Sequence, residues 1–117
     1  MSVEQSINRV ELVGRVGADP RVGRTEEGRR VINFNVATTE VFRSSVGELR
    51  EETCWHRVVL WESKDCPDFD QVRKGKRVHV KGRMRTSVYE KDGQSRYSQE
   101  ILAQQCRLVS DTDLIPN

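Results

Sequence analysis

A short segment with strand-like alternation carries the residues with the clearest chemical potential in this sequence. In TCWHRVVLW (53–61), alternation places Trp55, Arg57 and Trp61 on one face of a strand and His56 on the other. Two indole rings on the outer face of a small sheet are hard to explain by contact with water alone. A flat, charged ligand that stacks on the rings and pairs with the arginine would explain them, and single-stranded nucleic acid is such a ligand.

Positive charge is concentrated in one block of the chain, although the formal net charge is only +2. The block comprises Arg73, Lys74, Lys76, Arg77, Lys81, Arg83 and Arg85. It contains no acidic residue, so it forms a local positive field that favours phosphates. The alternative for any charge run is a solvated strand face. We predict phosphate contacts for a subset of the basic residues: Arg15, Arg43, Arg57, Lys74, Lys76, Arg83 and Arg85.

Four aromatic side chains are candidates for base stacking: Phe42, Trp55, Trp61 and Tyr89. Each stacked base contributes about 1–3 kcal/mol without selecting a sequence. The alternative for any one of these rings is a plug at a barrel end or a contact between subunits. For the two tryptophans the shared face with Arg57 favours stacking. Phe34 follows the apolar alternation of its own strand, and we assign it to the core.

Other chemistries find little support in the sequence. The cysteines Cys54, Cys66 and Cys106 have neither metal-ligand nor redox spacing, which favours a reducing compartment. His56 and His79 lie inside strand patterns, so we expect no metal and no other cofactor. Nucleophile-elbow, Walker and HExxH motifs are absent, and we expect no enzymatic activity. No apolar run approaches the roughly 20 residues of a membrane span, and we expect neither a membrane partner nor a transit peptide.

The alternation predicts five strands and one short helix. The strands are predicted at 7–16, 30–39, 53–61, 76–86 and about 96–109, with hairpin loops at 23–28 and 43–52 and a tight turn at 91–94. Pro67 and Gly75 bracket the helix. This order predicts an all-β, five-stranded OB-fold Greek-key barrel with one short helix and long hairpins, a fold that commonly binds oligonucleotides. An SH3-like barrel or a small sandwich would fit the strands but not the helix. We expect one domain at 1–110 and a short tail at 111–117.

The motifs together resemble those of the single-stranded DNA-binding proteins of bacteria and mitochondria, which are homotetramers of OB folds. The resemblance runs from Asn8 to about Leu108. It includes LVGRVGADP (12–20), NVATTEVFR (35–43), TCWHRVVLW (53–61), RKGKRVHVKGRMRT (73–86) and DGQSRYSQEI (92–101). It implies sequence-independent binding and protection of single-stranded DNA in replication and repair, without a cofactor. It also implies a homotetramer, with a replication polymerase and helicase as further partners.

The resemblance also suggests roles for individual residues. The family's stacking positions fall on Phe42, where members typically have Trp, on Trp55, on Trp61, usually Phe, and on Tyr89, often Trp. Each replacement keeps an aromatic face. In the family, the histidine at the position of His56 takes part in contacts between subunits of the tetramer. The alternative is that His56 is an ordinary core residue.

The end of the sequence departs from the bacterial pattern. Bacterial members carry a Gly/Pro/Gln-rich linker and an acidic tip ending in Phe, whereas this sequence ends in DTDLIPN. Animal mitochondrial members end similarly, so the resemblance predicts the mitochondrial matrix nucleoid, with the bacterial cytoplasm as the alternative. Two other functions stay open. One is a replication-restart OB protein that mainly contacts proteins, and the other is an RNA-binding organellar variant, because stacking does not read the 2′-hydroxyl.

Overall fold

The computed structural model describes residues 4–64 and 66–110, and strands dominate it. They are β1 (Val10–Val16), β2 (Arg21–Arg24), β3 (Arg30–Arg43), β4 (Leu49–Trp61), β5 (Arg77–Lys91) and β6 (Gln94–Leu108). Within the described residues, helical structure is limited to a 3-10 turn at Phe69–Gln71. The tail predicted at 111–117 lies outside the described residues.

Strand β1 closes the sheet into a barrel. It pairs antiparallel with β5 from Val10 to Arg15 and with β3 at Arg15 and Val16. The ring therefore runs β1-β5-β6-β4-β3 and back to β1, and β4 and β6 form its parallel pair. Strand β2 lies outside the ring as a short antiparallel partner of β3. The closed five-stranded barrel predicted from the sequence is confirmed.

Alternate residues of the barrel strands fill its interior with branched aliphatic side chains. The buried core comprises Val16, Ile32, Phe34, Val36, Val58, Leu60, Phe69, Val72, Val78, Val80, Ile101 and Cys106. Phe34 is 4% exposed, as its alternation predicted. Phe69 and Val72 come from the segment between β4 and β5, so that segment contributes to the core. Because the core uses one face of each strand, the other face is left for function.

Outside the hairpin arms, three local features differ from the sequence-based prediction. Strand β1 begins at Val10 instead of residue 7, and β2 occupies Arg21–Arg24, where a loop was expected to begin at Gly23. The expected helix is a single 3-10 turn, in which the Asp68 carboxylate accepts a hydrogen bond from the Asp70 backbone N–H. One turn is sufficient, because it already brings two apolar side chains into the core.

Two hairpins extend beyond the barrel as antiparallel arms. The β3–β4 arm keeps a continuous register up to the pair Arg43 and Leu49, so both strands extend well beyond the predicted ranges 30–39 and 53–61. The β5–β6 arm ends in the turn Asp92-Gly93, where φ is 54° and 76°. Positive φ at both central residues is the geometry of a type I′ turn, which Asp-Gly favours. The arms carry exposed apolar side chains, among them Val41, Phe42, Val46, Leu49, Val88, Tyr89 and Tyr97.

Closure of the barrel depends on a close approach of β1 to β3 at Gly14, and this gives a stability prediction. A Cβ at this position would lie 2.2 Å from the carbonyl oxygen of Ala37. Gly14→Ala should therefore lower the free energy of unfolding by about 1–3 kcal/mol, measured by urea denaturation.

Gly23→Ala in β2 is the matched control, because its Cβ would meet its nearest atom, Cγ1 of Val31, at 3.3 Å. We expect that variant to differ from the parent by no more than about 0.5 kcal/mol. Equal losses in the two variants would contradict the assignment of barrel closure to Gly14.

Candidate nucleic-acid interface

Trp55 presents an open aromatic ring on the outer face of β4. Its side chain is 63% exposed, and its ring lies against Gly17, where a Cβ would be 2.2 Å from the indole Cζ3. On the neighbouring strand, Ala37 pairs with Trp55, and Ala37 also pairs with Arg15 of β1. Small neighbours therefore support the ring from below and from the side without covering it. A planar ligand has access to the remaining face.

Three of the basic residues predicted to contact phosphates lie near the end of β1. The Arg15 guanidinium donates from Nη1 to the carbonyl of Gly75 at 3.0 Å. Gly75 in turn donates its backbone N–H to the carbonyl of Val16 at 2.8 Å, next to the glycine that supports the indole. The turn is thereby attached to the end of β1. The backbones of Lys74 and Lys76 lie beside the end of β1, because the Lys76 carbonyl accepts from the Val16 N–H at 2.9 Å and the Lys74 N–H donates to Asp19 at 3.0 Å.

A second cationic group spans β4, β6 and β5 and is built around a buried carboxylate. Glu100 is 5% exposed. Nε and Nη2 of Arg85 donate to its Oε1 at 3.1 Å and 2.7 Å, and Nε of Arg57 lies 3.7 Å from its Oε2. Such a buried carboxylate is tolerated because charged donors surround it. Arg83, two residues from Arg85 on the same face, is exposed.

Trp61 lies on the same face as Trp55, about 20 Å further along the strand at roughly 3.4 Å per residue. The ring is partly buried, and the guanidinium carbon of Arg29 lies 4.7 Å from its centroid. This is a cation–π contact. The neighbouring Arg30 is instead paired with Glu62. A base that stacks on Trp61 must therefore share its ring with Arg29 or displace the guanidinium.

The other two predicted stacking residues lie on the arms. The uninterrupted β3–β4 register puts Phe42 on the opposite face of the ribbon from Trp55. Tyr89 shares the face of Arg85, four residues further out along β5. The two rings are 46% and 48% exposed, respectively. Arg43 donates from Nη1 to a carbonyl of its own hairpin turn at 3.1 Å. Their roles in binding stay predictions.

The two histidines have different surroundings. His56 points away from the Trp55 face, and its Nε2 lies 2.8 Å from the hydroxyl of Thr38. Its contact with another subunit stays a prediction. His79 is buried, with its Nε2 2.7 Å from a carboxylate oxygen of Glu11. The hydrogen bond with His79 lowers the pKa of Glu11 below its usual value.

The cysteines range from exposed to buried: Cys54 is exposed, Cys66 partly exposed and Cys106 buried. Burial, with a smaller contribution from the charge of Cys66, raises the pKa of the Cys106 thiol to about 11. Within residues 4–64 and 66–110, no three His, Cys, Asp or Glu side chains are grouped so that they could hold a metal ion. None of the helical structure described there is long and apolar enough to cross a membrane.

Sequence reasoning missed two residues that contact the predicted ligand-binding side chains. Gly17 was interpreted as the end of a strand, although its lack of a side chain makes room for the ring of Trp55. Glu100 was one acidic residue in an alternating strand. Its alternation with Ile101 could have placed it on the outer face. Nothing local to the strand indicated that Arg57 and Arg85 would flank it.

Comparison with known proteins finds one matching family model and relatives whose names agree with it. The model of the Single-strand binding protein family matches residues 7–109. The "Single-stranded DNA-binding protein" of Rhizobium meliloti is 40% identical over 102 residues, which are 85% of this chain and 59% of the relative. The "Single-stranded DNA-binding protein 1" of Chlorobaculum tepidum is 34% identical over 111 residues, 93% of this chain and 68% of the relative. The chain thus spans about three fifths to two thirds of these relatives' length.

Solved structures share the fold. A chain of the "Plasmodium falciparum SSB complex with ssDNA" superposes with a TM-score of 0.76 at 31% identity, covering 92% of this chain and 97% of that one. The wild-type single-stranded DNA binding protein from Thermus aquaticus superposes with a TM-score of 0.73 at 26% identity, covering 91% of this chain and 52% of that one. The prediction of an OB fold is confirmed.

The contact between Gly17 and Trp55 can be tested spectroscopically. In a Trp61→Phe background, where Trp55 is the remaining indole, Gly17→Ala should displace the ring from its support. We expect a red-shifted emission and faster quenching by acrylamide. Gly23→Ala in the same background is the control and should leave both signals unchanged. An unshifted spectrum in Gly17→Ala would contradict the packing described above.

Proposed function

The chain belongs to the single-strand binding protein family, and from this premise we propose that it binds single-stranded DNA without sequence preference. In this proposal bases stack on Trp55, Trp61 and Tyr89, and on Phe42, which the strand must reach on the other face of the β3–β4 arm. Phosphates pair with the arginines and lysines around these rings. The protein performs no catalysis, because members of this family are DNA-binding proteins without enzymatic activity. Its role is to cover and protect exposed strands.

The open ring of Trp55, on a face shared with Arg57, is the observation that carries this proposal. The ring is 63% exposed although it is large and apolar, and it is supported from below by Gly17. Stacking uses the π face that all bases have in common, so it does not select a sequence. The surrounding cations contact phosphates, which also carry no sequence information.

The geometry suggests a path for the strand across the barrel. The aromatic and cationic groups lie on the outer face of β4, β6 and β5, from Trp61 past Trp55 and Arg85 to Tyr89 on the arm. A groove of about 380 Å³, bordered by Arg21, Asn35 and Arg57, lies beside this path. Long flexible strands can follow such a curved surface, whereas a stiff duplex cannot present unstacked bases to it.

Finer parts of the proposal depend on the resemblance and on the relatives. We propose a homotetramer with His56 at an interface, and a role in replication and repair in which a polymerase and a helicase are partners. The predicted mitochondrial location is also a proposal. The bacterial origin of the two relatives named above favours its alternative, the bacterial cytoplasm. Static light scattering would test the tetramer, which should give four times the chain mass of 13.5 kDa.

A titration with oligonucleotides tests the central proposal. A long oligo-dT should strongly quench the fluorescence of Trp55 and Trp61, saturating near one strand per four chains, and a duplex of equal length should not. The affinity for oligo-dT should fall steeply with salt, because each phosphate contact releases counterions. An equal response to single strand and duplex would contradict the proposal. A parallel titration with oligo-rU distinguishes a DNA-binding from an RNA-binding protein.

The stacking role of Trp55 can be measured with a labelled oligo-dT and fluorescence anisotropy. Trp55→Ala should weaken binding about 5- to 150-fold, the loss of one stacked base. Tyr97→Ala is the control, because that ring is 72% exposed on the opposite face of the β5–β6 arm. An unchanged affinity in Trp55→Ala would favour a module that contacts proteins. Equal losses in the two variants would contradict the choice of face.

A further inference from the structure

We propose that Glu100 is a positioning residue of the DNA interface, which holds Arg57 and Arg85 in the arrangement that receives a phosphate. The inference rests on the proposed function, because it assigns a role within the same surface. Glu100 itself would repel a phosphate and is not a ligand. Its effect on binding would act through the two arginines.

The position of Glu100 is set by strand pairing. Glu100 pairs directly with Arg85 of β5. The parallel pairing of β4 with β6 begins one residue later, at Val58 and Ile101, which places Glu100 beside Arg57. The carboxylate is thus located between two guanidiniums from different strands. It lies on the outer face, yet it is 5% exposed because the arginine side chains cover it.

Both carboxylate oxygens of Glu100 are used, and each holds a different arginine. Oε1 accepts Nε and Nη2 of Arg85, and Oε2 lies 3.7 Å from Nε of Arg57. The hydrogen bonds use the Nε edge of Arg85, and the longer ion pair lies on the Nε side of Arg57. Further N–H groups of both side chains are left for a ligand. The arginine side chains remain 52% and 38% exposed, so those groups can be reached from solvent.

The charges explain why a carboxylate is useful at this point. Two guanidiniums side by side repel each other, and without Glu100 each long side chain would sample many rotamers. Glu100 reduces the charge of the cluster from +2 to +1 and orders both side chains before DNA arrives. A ligand that meets ordered donors loses less conformational entropy on binding. The positioning role requires this gain to exceed the loss of one positive charge.

For a substitution that removes the charge of Glu100, the positioning role predicts weaker DNA binding, whereas net charge alone predicts tighter binding. Glu100→Gln raises the net charge by one and keeps the side-chain shape, so electrostatics alone predicts tighter binding of DNA. Positioning predicts weaker binding, by about tenfold for two side chains that lose their order. Glu26→Gln is the matched control: it makes the same charge change in the exposed β2–β3 turn.

The experiment compares affinities of the full chain for labelled oligo-dT at low salt, with circular dichroism and thermal unfolding to verify that each variant is folded. We expect Glu26→Gln to bind as tightly as the parent or slightly more tightly, and Glu100→Gln to bind about tenfold more weakly. If the parent binds and Glu100→Gln matches Glu26→Gln, the positioning role is wrong and the proposed function stands. If the parent itself does not bind, the proposed function fails and this inference fails with it.

Glu100→Asp separates positioning from charge and from stability. It keeps the negative charge, but the carboxylate is one methylene shorter and cannot hold both guanidiniums. Positioning predicts binding about threefold weaker, whereas an effect of charge alone predicts no change. A purely structural role would lower the melting temperature of either variant and leave the affinity of the folded protein unchanged. That result would overturn the inference.

Discussion

Closure of the barrel by β1 is the constraint on which the rest of this structure depends. The strand leaves β5 and joins β3 at Arg15, and the two backbones approach closely enough at Gly14 that a Cβ would meet the carbonyl of Ala37. The same crossing carries Gly17 beneath the ring of Trp55. One strand therefore both closes the barrel and leads directly into the glycine that supports the exposed ring of Trp55.

The outer face combines exposed rings with cations that are already paired. Glu100 holds Arg57 and Arg85, and a carbonyl of the adjoining turn holds Arg15. Glu100 lowers the net positive charge of the surface and the neutral carbonyl does not, but both fix the direction of the donors that they contact. Ordered donors favour the binding of a flexible single strand. The protein side chains then lose little conformational entropy on binding, and most of that loss falls on the nucleic acid.

The sequence predicted the barrel and its outer face well, because both follow from local rules. Alternation placed Trp55 and Arg57 on one face and His56 on the other, and Asp92-Gly93 indicated the position of the tight turn without any tertiary information. The helix was overestimated, because Pro67 and Gly75 indicate where a helix could lie and not how much of the segment the core needs. The length of β3 was underestimated, because the residues beyond Thr39 are exposed, have no core to face and lose the alternation that identifies a strand.

By itself, the sequence determined which side of each strand is apolar, where the chain turns and which residue types can stack on a base or pair with a phosphate. These properties depend on neighbours along the chain. Only the tertiary structure decided which of those residues meet. Glu100 contacts arginines on two other strands, and Gly17 contacts an indole that is separated from it by β3. Phe42 lies on the opposite face from Trp55 because the register of a long hairpin is continuous. Register and barrel closure are set by pairing between distant segments, which the linear order of residues does not display.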